Sequence, residues 1–236
     1  MNETRRARRS SYGIVDVLLG LAVSVVASAI VASIALAATG DDELDEIPMW
    51  LYAVVQASQW IGLVGVPVLV SKVRGHGPVR DFGAWMTRRD VPFGLALGVL
   101  LQLVMVPLIS WPWVLLLGKD TGELDDRAKE LTDRAQGFGL FMLTLVVVIG
   151  APFAEELFFR GLTLRAFARR VGAVGGIIGS ALVFAATHLD LISFPALAVF
   201  GIVMGVLVHR SGRLGPAWWA HVGFNATTIA ILIAQR

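Results

Sequence analysis

The chain has 236 residues, of which 56% are hydrophobic and only 16% are charged, and its formal net charge is +2. A soluble domain carries about 25% charged residues, so this composition predicts a polytopic membrane protein. The lack of cysteine excludes disulfides, thiolate metal sites and cysteine nucleophiles. The basic residues are distributed over short loops between apolar runs, so we expect the lipid bilayer as a partner and no nucleic acid.

Seven uncharged stretches predict an all-α fold, a polytopic membrane helix bundle with about seven transmembrane helices and a range of six to eight. A spanning helix needs roughly 20 mostly apolar residues. The predicted spans are residues 17–40, 47–71, 91–118, 136–154, 171–187, 191–208 and 214–235. The first could be a signal peptide, but its apolar core exceeds the usual ~7–15 residues, so we expect a retained anchor.

The charges in the loops predict the orientation. Arginine and lysine collect before the first span and after the second, fourth and sixth spans, whereas five acidic residues follow the first. Short basic loops remain on the cytoplasmic side of a membrane. The sequence therefore predicts a multi-pass protein of a bacterial plasma membrane, with its N-terminus in the cytoplasm and its C-terminus outside.

Residues 120–135 form the one long polar segment between spans. Apolar residues recur on one helical face of this segment, and three acidic residues each precede a basic residue by four positions. This pattern predicts an amphipathic helix lying on the outer surface. A lid over the route by which a substrate reaches the protein is the alternative.

Two adjacent glutamates, Glu155 and Glu156, follow an apolar run. Ionisable groups at membrane depth are costly and mark functional sites. Arg160 lies one helical turn after Glu156 on the same face, so we expect a structural ion pair. Glu155 is rotated by about 100° from Glu156 and remains available for chemistry. The alternative is a pair of interfacial glutamates beside an arginine that extends to the membrane surface.

Two histidines lie in apolar stretches farther along the chain. Phe184 precedes His188 by one turn and could wall a site, although a histidine bonded to a backbone carbonyl is the alternative. His221 and Asn225 are also one turn apart, so their N–H groups could stabilise an oxyanion. A hydrogen bond between helices is the alternative for this pair. His209, at the end of a span, is expected to be solvated.

Common catalytic signatures are missing from the sequence. It has no HExxH motif, no GxSxG motif and no phosphate-binding loop. Acids and histidines in apolar helices instead suggest activation of water. A small transporter with a protonatable glutamate–histidine relay is the rival from another class, but no charged pair lies in the middle of the first three spans.

The three polar motifs together resemble those of a family of intramembrane metalloproteases. This is the CPBP family, which includes CAAX proteases and bacteriocin-processing proteins and is also called Abi; its motifs are E-E-x-x-x-R, F-x-x-x-H and H-x-x-x-N. The corresponding residues, in the same order, are Glu155, Glu156 and Arg160, then Phe184 and His188, then His221 and Asn225. The resemblance implies a CPBP-like catalytic core over residues 136–236. Residues 1–135, with three spans and the surface helix, would complete one membrane domain.

The resemblance implies hydrolysis of a peptide bond in a membrane-associated protein or peptide. Processing of prenylated CAAX tails is the best-known family activity, and other members act in bacteriocin processing, self-immunity or membrane signalling. A non-catalytic immunity or scaffold protein of the same fold is the alternative. The implied roles are water activation by Glu155 with His188, oxyanion binding by His221 and Asn225, and support of the site by Glu156 and Arg160.

The same resemblance leaves the cofactor open. Glu155, His188 and His221 could bind a divalent metal such as zinc with an open position for water. They could equally act without a metal, by general acid–base catalysis.

The predicted span boundaries conflict with the predicted site. They place Glu155 at the cytoplasmic face and His188 roughly 25 Å deeper, at 1.5 Å per residue. For the two residues to meet, either residues 160–176 enter the protein, or the helix that carries His188 is tilted or begins later.

Overall fold

The computed structural model describes residues 12–44, 46–119, 129–130 and 133–235, and every regular element in these ranges is helical. Within them, six helices are long and apolar enough to cross a membrane, which confirms the predicted class of polytopic helix bundle. The helices are α1 Ile14–Thr39, α2 Met49–Arg74, the short α3 Pro78–Phe82, α4 Asp90–Leu116, α5 Gly137–Thr187, α6 Phe194–Ser211 and α7 Gly215–Ala234. Most of the amphipathic helix predicted over residues 120–135 falls outside the described residues.

Helix α5 is a bent helix of 51 residues that folds back on itself. The backbone leaves helical geometry at Val171 and at Gly172, where φ is 76° and ψ is 174°. The first arm (residues 137–170) and the second arm (residues 173–187) then pack side by side. The Ser180 hydroxyl donates to the Phe159 carbonyl at 2.7 Å across the two arms. The hairpin therefore consists of two antiparallel arms.

The hairpin corrects the predicted end of the fourth span. The sequence prediction ended this span at residue 154 and placed Arg160 in a cytoplasmic loop, but the helix continues and Arg160 is completely buried. The prediction failed because it treated every charge as a loop signal, whereas this charge is neutralised inside the protein by Glu156. Glu155 and His188 lie at similar distances along the chain before and after the bend, which removes the conflict in their depths.

The bend requires a glycine at position 172, and this requirement can be tested. The φ and ψ of Gly172 are accessible essentially only to glycine, and no atom lies within 4 Å of a Cβ added there. We therefore expect Gly172→Ala to lower the free energy of unfolding by about 1–3 kcal/mol through backbone strain alone. Thermal unfolding of the purified protein in detergent measures this. Gly65→Ala, at a helical position that is equally open, should cause no loss; equal effects of both changes would contradict the strained bend.

Contacts at one end of the bundle join the termini of several helices. The Arg169 guanidinium donates to the Tyr12 carbonyl at 2.9 Å and lies over the Tyr12 ring. Arg74 pairs with Asp16 near the start of α1. The backbone N–H of Leu214 donates to the Gly83 carbonyl at 2.7 Å. The start of α1, the end of α2, the bend of α5 and the loop between α6 and α7 therefore share this end, which we call the basic end.

Helices α4 and α7 pack in very close contact. A Cβ added to Gly98 would lie 2.1 Å from the Ala220 carbonyl oxygen, and one added to Gly223 would lie 2.6 Å from that of Leu95. Small residues allow such close approach of backbones in membrane helices. Because α7 carries His221 and Asn225, this packing fixes the position of both side chains relative to the rest of the bundle.

Candidate active site

A buried ion pair forms the base of the site. Glu156 is 1% exposed and Arg160 is 0% exposed, and Arg160 Nη1 lies 2.9 Å from Glu156 Oε1. The guanidinium carbon also lies 4.5 Å from the centre of the Phe184 ring, within the range of a cation–π interaction. The arginine does not extend to solvent, so the pair is internal and the interfacial alternative does not apply.

His221 connects both glutamates. Its Nδ1 lies 3.0 Å from Glu156 Oε1, and its Nε2 lies 3.7 Å from Glu155 Oε2. An ionised carboxylate can only accept a hydrogen bond, so Nδ1 carries the hydrogen and donates to Glu156. The ring is held edge-on to Phe200, with centroids 4.9 Å apart. Glu156 therefore fixes both the orientation of His221 and its tautomer, and directs Nε2 toward Glu155.

Glu155 has a different environment from its neighbour. Its side chain is 20% exposed, whereas that of Glu156 is 1% exposed. Glu155 is therefore accessible from outside the protein, whereas Glu156 is not. The helical spacing predicts this difference, in which Glu156 is paired and Glu155 is accessible.

His188 lies at the C-terminal end of α5 and is exposed. Its Nδ1 lies 2.9 Å from the Phe184 carbonyl oxygen, which can only accept, so Nδ1 carries the hydrogen here as well. The ring of Phe184 separates the two histidines, with centroid distances of 4.7 Å to His188 and 5.9 Å to His221. The bond to a carbonyl that the sequence offered as an alternative is thus present, and it leaves Nε2 of His188 as a hydrogen-bond acceptor.

Asn225 anchors α7 to the first arm of α5. Its amide nitrogen donates to the Val147 carbonyl at 2.8 Å. This carbonyl lies in a π-helical turn, Leu145–Gly150, in which the N–H of Ala151 donates to Val146 instead. The next residue, Pro152, has no N–H, so the Val147 carbonyl lacks a helical partner. The helix–helix bond is therefore present, and the second N–H of the Asn225 amide remains available for another acceptor.

Two further aromatic residues border the site and were missed by sequence reasoning. Phe200 is completely buried against His221. Trp218 packs edge-on against Phe153 at 5.6 Å, and its indole nitrogen is buried with no hydrogen-bond partner among the described residues. Trp218 precedes Asn225 by seven positions and so shares its helical face, which is the signal that could have identified it.

The predicted metal ligands were Glu155, His188 and His221. No group of three or more histidine, aspartate or glutamate side chains among the described residues is arranged to hold a metal ion. Nδ1 of His188 is engaged by its own helix, and Nδ1 of His221 is engaged by Glu156. These contacts leave Nε2 of both rings, the atom through which such histidines bind metals, so they do not argue against a metal. The metal therefore stays a prediction.

The chain was compared with models of known protein families and with known proteins. Residues 137–227 match the model of the family described as type II CAAX prenyl endopeptidase Rce1-like. This confirms the resemblance to the CAAX-protease family, over a segment that contains all six predicted site residues. No curated protein and no solved structure matches the chain.

Proposed function

We propose that this protein is an intramembrane endopeptidase that hydrolyses a peptide bond of a membrane-associated protein or peptide. The observation that carries the proposal is the position of His221, which is bound by the buried Glu156 and faces the accessible Glu155. This arrangement lies within the segment that matches a protease family. We place the protein in the plasma membrane with its N-terminus in the cytoplasm, because the arginine-rich segments meet at the basic end.

In the proposed reaction, Glu155 acts as the general base. A water molecule donates one hydrogen bond to the Glu155 carboxylate and the other to Nε2 of His188, which is an acceptor because Nδ1 holds the hydrogen. Glu155 removes a proton while the water oxygen bonds to the carbonyl carbon of the substrate. The electron pair of the carbonyl π bond moves to the carbonyl oxygen and gives a tetrahedral oxyanion.

Asn225 and His221 then stabilise the oxyanion. The second N–H of the Asn225 amide is one donor. His221 can donate from Nε2 only when it is protonated, because its Nδ1 hydrogen is bound to Glu156. Glu155 finally transfers its proton to the leaving nitrogen, the C–N bond breaks, and a carboxyl group and an amine are released.

We propose a CAAX-type tail, or a related membrane-anchored peptide, as the substrate class. The description of the matching family names this activity. Bacteriocin processing, self-immunity and signalling are other roles within the resembling family. A divalent metal such as zinc would supply a Lewis acid if it were bound, but the proposed steps use only side chains of the chain because the described residues do not assemble three ligands.

New peptide termini provide the test of this function. Wild-type protein in lipid nanodiscs is incubated with cell membranes in H₂¹⁸O, and the termini are identified by mass spectrometry. Hydrolysis incorporates one ¹⁸O atom into each new carboxyl group. We expect His221→Asn, whose amide can still donate to Glu156, to reduce the rate by about 10²-fold because the group facing Glu155 is lost.

The control is His209→Asn, which changes an exposed histidine at the end of α6. We expect it to cleave at the wild-type rate. A wild-type protein that produces no ¹⁸O-labelled termini would contradict a protease and favour a non-catalytic binding protein of the same fold. Ion or solute flux that depends on Glu155 and His188, without cleavage, would favour the transporter.

A further inference from the structure

An open pocket lies at the basic end, away from the candidate active site. It has a volume of about 430 Å³ and is bordered by the start of α4 and by the loop between α6 and α7. Three arginines line it, Arg89, Arg210 and Arg213, together with one acidic residue, Asp90. The charge of these groups and the apolar residues beneath them decide what the pocket can bind.

One of the three arginines is neutralised. Arg213 makes two hydrogen bonds to Asp90, from Nη2 at 2.6 Å and from Nε at 2.9 Å. The bond to Asp90 also raises the pKa of the Arg213 guanidinium above its usual value. Asp90 is 3% exposed and its Oδ2 accepts from the backbone N–H of Thr87. This neutral pair forms the floor of the pocket and holds the loop between α6 and α7 against α4.

The other two arginines are exposed and uncompensated. Arg89 and Arg210 form no ion pair with any residue that the structure describes. Arg89 lies in the turn before α4 and Arg210 lies in α6, and both line one cavity. Arg89, Arg210, Arg213 and Asp90 together give the pocket a net charge of +2. Arginine is suited to bind phosphate because its planar guanidinium offers several donors.

An apolar side chain lies one helical turn from each of these two arginines, toward the membrane interior. Phe93 follows Arg89 by four positions and is 54% exposed, and Leu207 precedes Arg210 by three positions. Both line the pocket. The pocket is therefore cationic at the membrane surface and apolar toward the membrane interior. A soluble anion would use only the first of these features, whereas a phospholipid would use both.

We propose that this pocket binds an anionic phospholipid from the leaflet at the basic end. The phosphate lies between Arg89 and Arg210, and the first acyl methylenes lie along Phe93 and Leu207. Basic pockets between membrane helices bind such headgroups. A zwitterionic lipid is disfavoured because its own ammonium group would lie beside the arginines.

Binding at this position joins separate elements of the bundle. The lipid contacts the start of α4, the end of α6 and, through Pro216, the start of α7. A ligand that binds only the folded protein raises its stability in proportion to RT ln(1 + [L]/Kd). The proposal thus predicts stabilisation by an anionic lipid, which can be measured without any assay of activity.

The test is thermal unfolding of the purified full-length protein in a mild detergent. Dioleoyl-phosphatidylglycerol is added to one sample and dioleoyl-phosphatidylcholine to another. We expect only the first lipid to raise the Tm of the wild type, by several degrees. The double variant Arg89→Gln with Arg210→Gln should lose most of this shift, and Arg210→Gln alone should lose part of it and serves if the double variant does not fold.

The matched control removes two charges from the same end but outside the pocket. Arg80 and Arg170 are exposed and do not line the cavity. Arg80→Gln with Arg170→Gln should retain the full shift. Equal losses in the two double variants, or equal shifts with both lipids, would overturn the proposal. A full shift with glycerol 3-phosphate alone would also overturn it, since it would mean that the pocket binds a free phosphate.

Discussion

Replacement of Glu155 by glutamine is expected to abolish hydrolysis and to leave the protein folded. The side chain is 20% exposed, and its contact with His221 Nε2 is long, at 3.7 Å. Glutamine has nearly the same shape, so few packing contacts are lost. It cannot accept a proton from water, and loss of a general base reduces rates by up to about 10⁴-fold. The measurement is kcat/KM for a cleaved substrate, together with the Tm of the variant.

The adjacent glutamate provides the matched control. Glu156→Gln changes the same chemical group one position away, but in a buried pair with Arg160 and His221. We expect this variant to unfold at a lower temperature than the wild type, because the Arg160 charge loses its partner. If Glu155→Gln cleaves at the wild-type rate, or if the two variants lose stability equally, the assignment of Glu155 as the reactive glutamate is wrong.

The membrane helices could be predicted wherever their ends coincide with the end of an uncharged run. The first span was predicted as residues 17–40 and is Ile14–Thr39, and the last was predicted as 214–235 and is Gly215–Ala234. The same rule failed for the fourth span, because Glu156 and Arg160 neutralise each other inside the helix. Sequence spacing shows that two such residues share a face, but it does not show whether that face is buried.

The residues of the candidate site were likewise easier to predict than their contacts. Four-residue spacing alone placed His221 on one face with Asn225. Their partners come from distant parts of the chain, and the Val147 carbonyl is free only because a π-helical turn precedes Pro152. The sequence also offered an N–H of His221 to an oxyanion, whereas Nδ1 of His221 lies 3.0 Å from Glu156 Oε1 in the structure. Such tertiary contacts leave no periodic signal in the sequence.

Replacement of Arg160 by methionine is expected to reduce the free energy of unfolding by about 3–5 kcal/mol. The change removes the only arginine paired with the buried Glu156 in the described structure, and it removes the contact with the Phe184 ring. The main cost is the uncompensated carboxylate that remains inside the protein. Equilibrium unfolding in mixed micelles measures the loss.

Arg165→Met is the control for loss of a partly buried arginine. Arg165 donates to the carbonyls of Arg160 and Gly161. It makes no direct ion pair with a carboxylate among the described residues, and Asp81 attracts its charge only from farther away. We therefore expect a smaller loss, on the order of 1–2 kcal/mol. An equal or larger loss than in Arg160→Met would mean that burial of the side chain, and not the paired charge, determines the effect.

The double variant Glu156→Gln with Arg160→Met separates support of the fold from support of the reaction. Removing both charges together eliminates the buried unpaired carboxylate, so stability should recover relative to Arg160→Met alone. The glutamine oxygen can still accept from Nδ1 of His221, but the hydrogen bond is no longer to a charged carboxylate, so His221 is held less firmly. We therefore expect a stable protein with low activity. Recovery of both properties would mean that the ion pair only supports the fold, whereas recovery of neither would mean that the two side chains do not act as a pair.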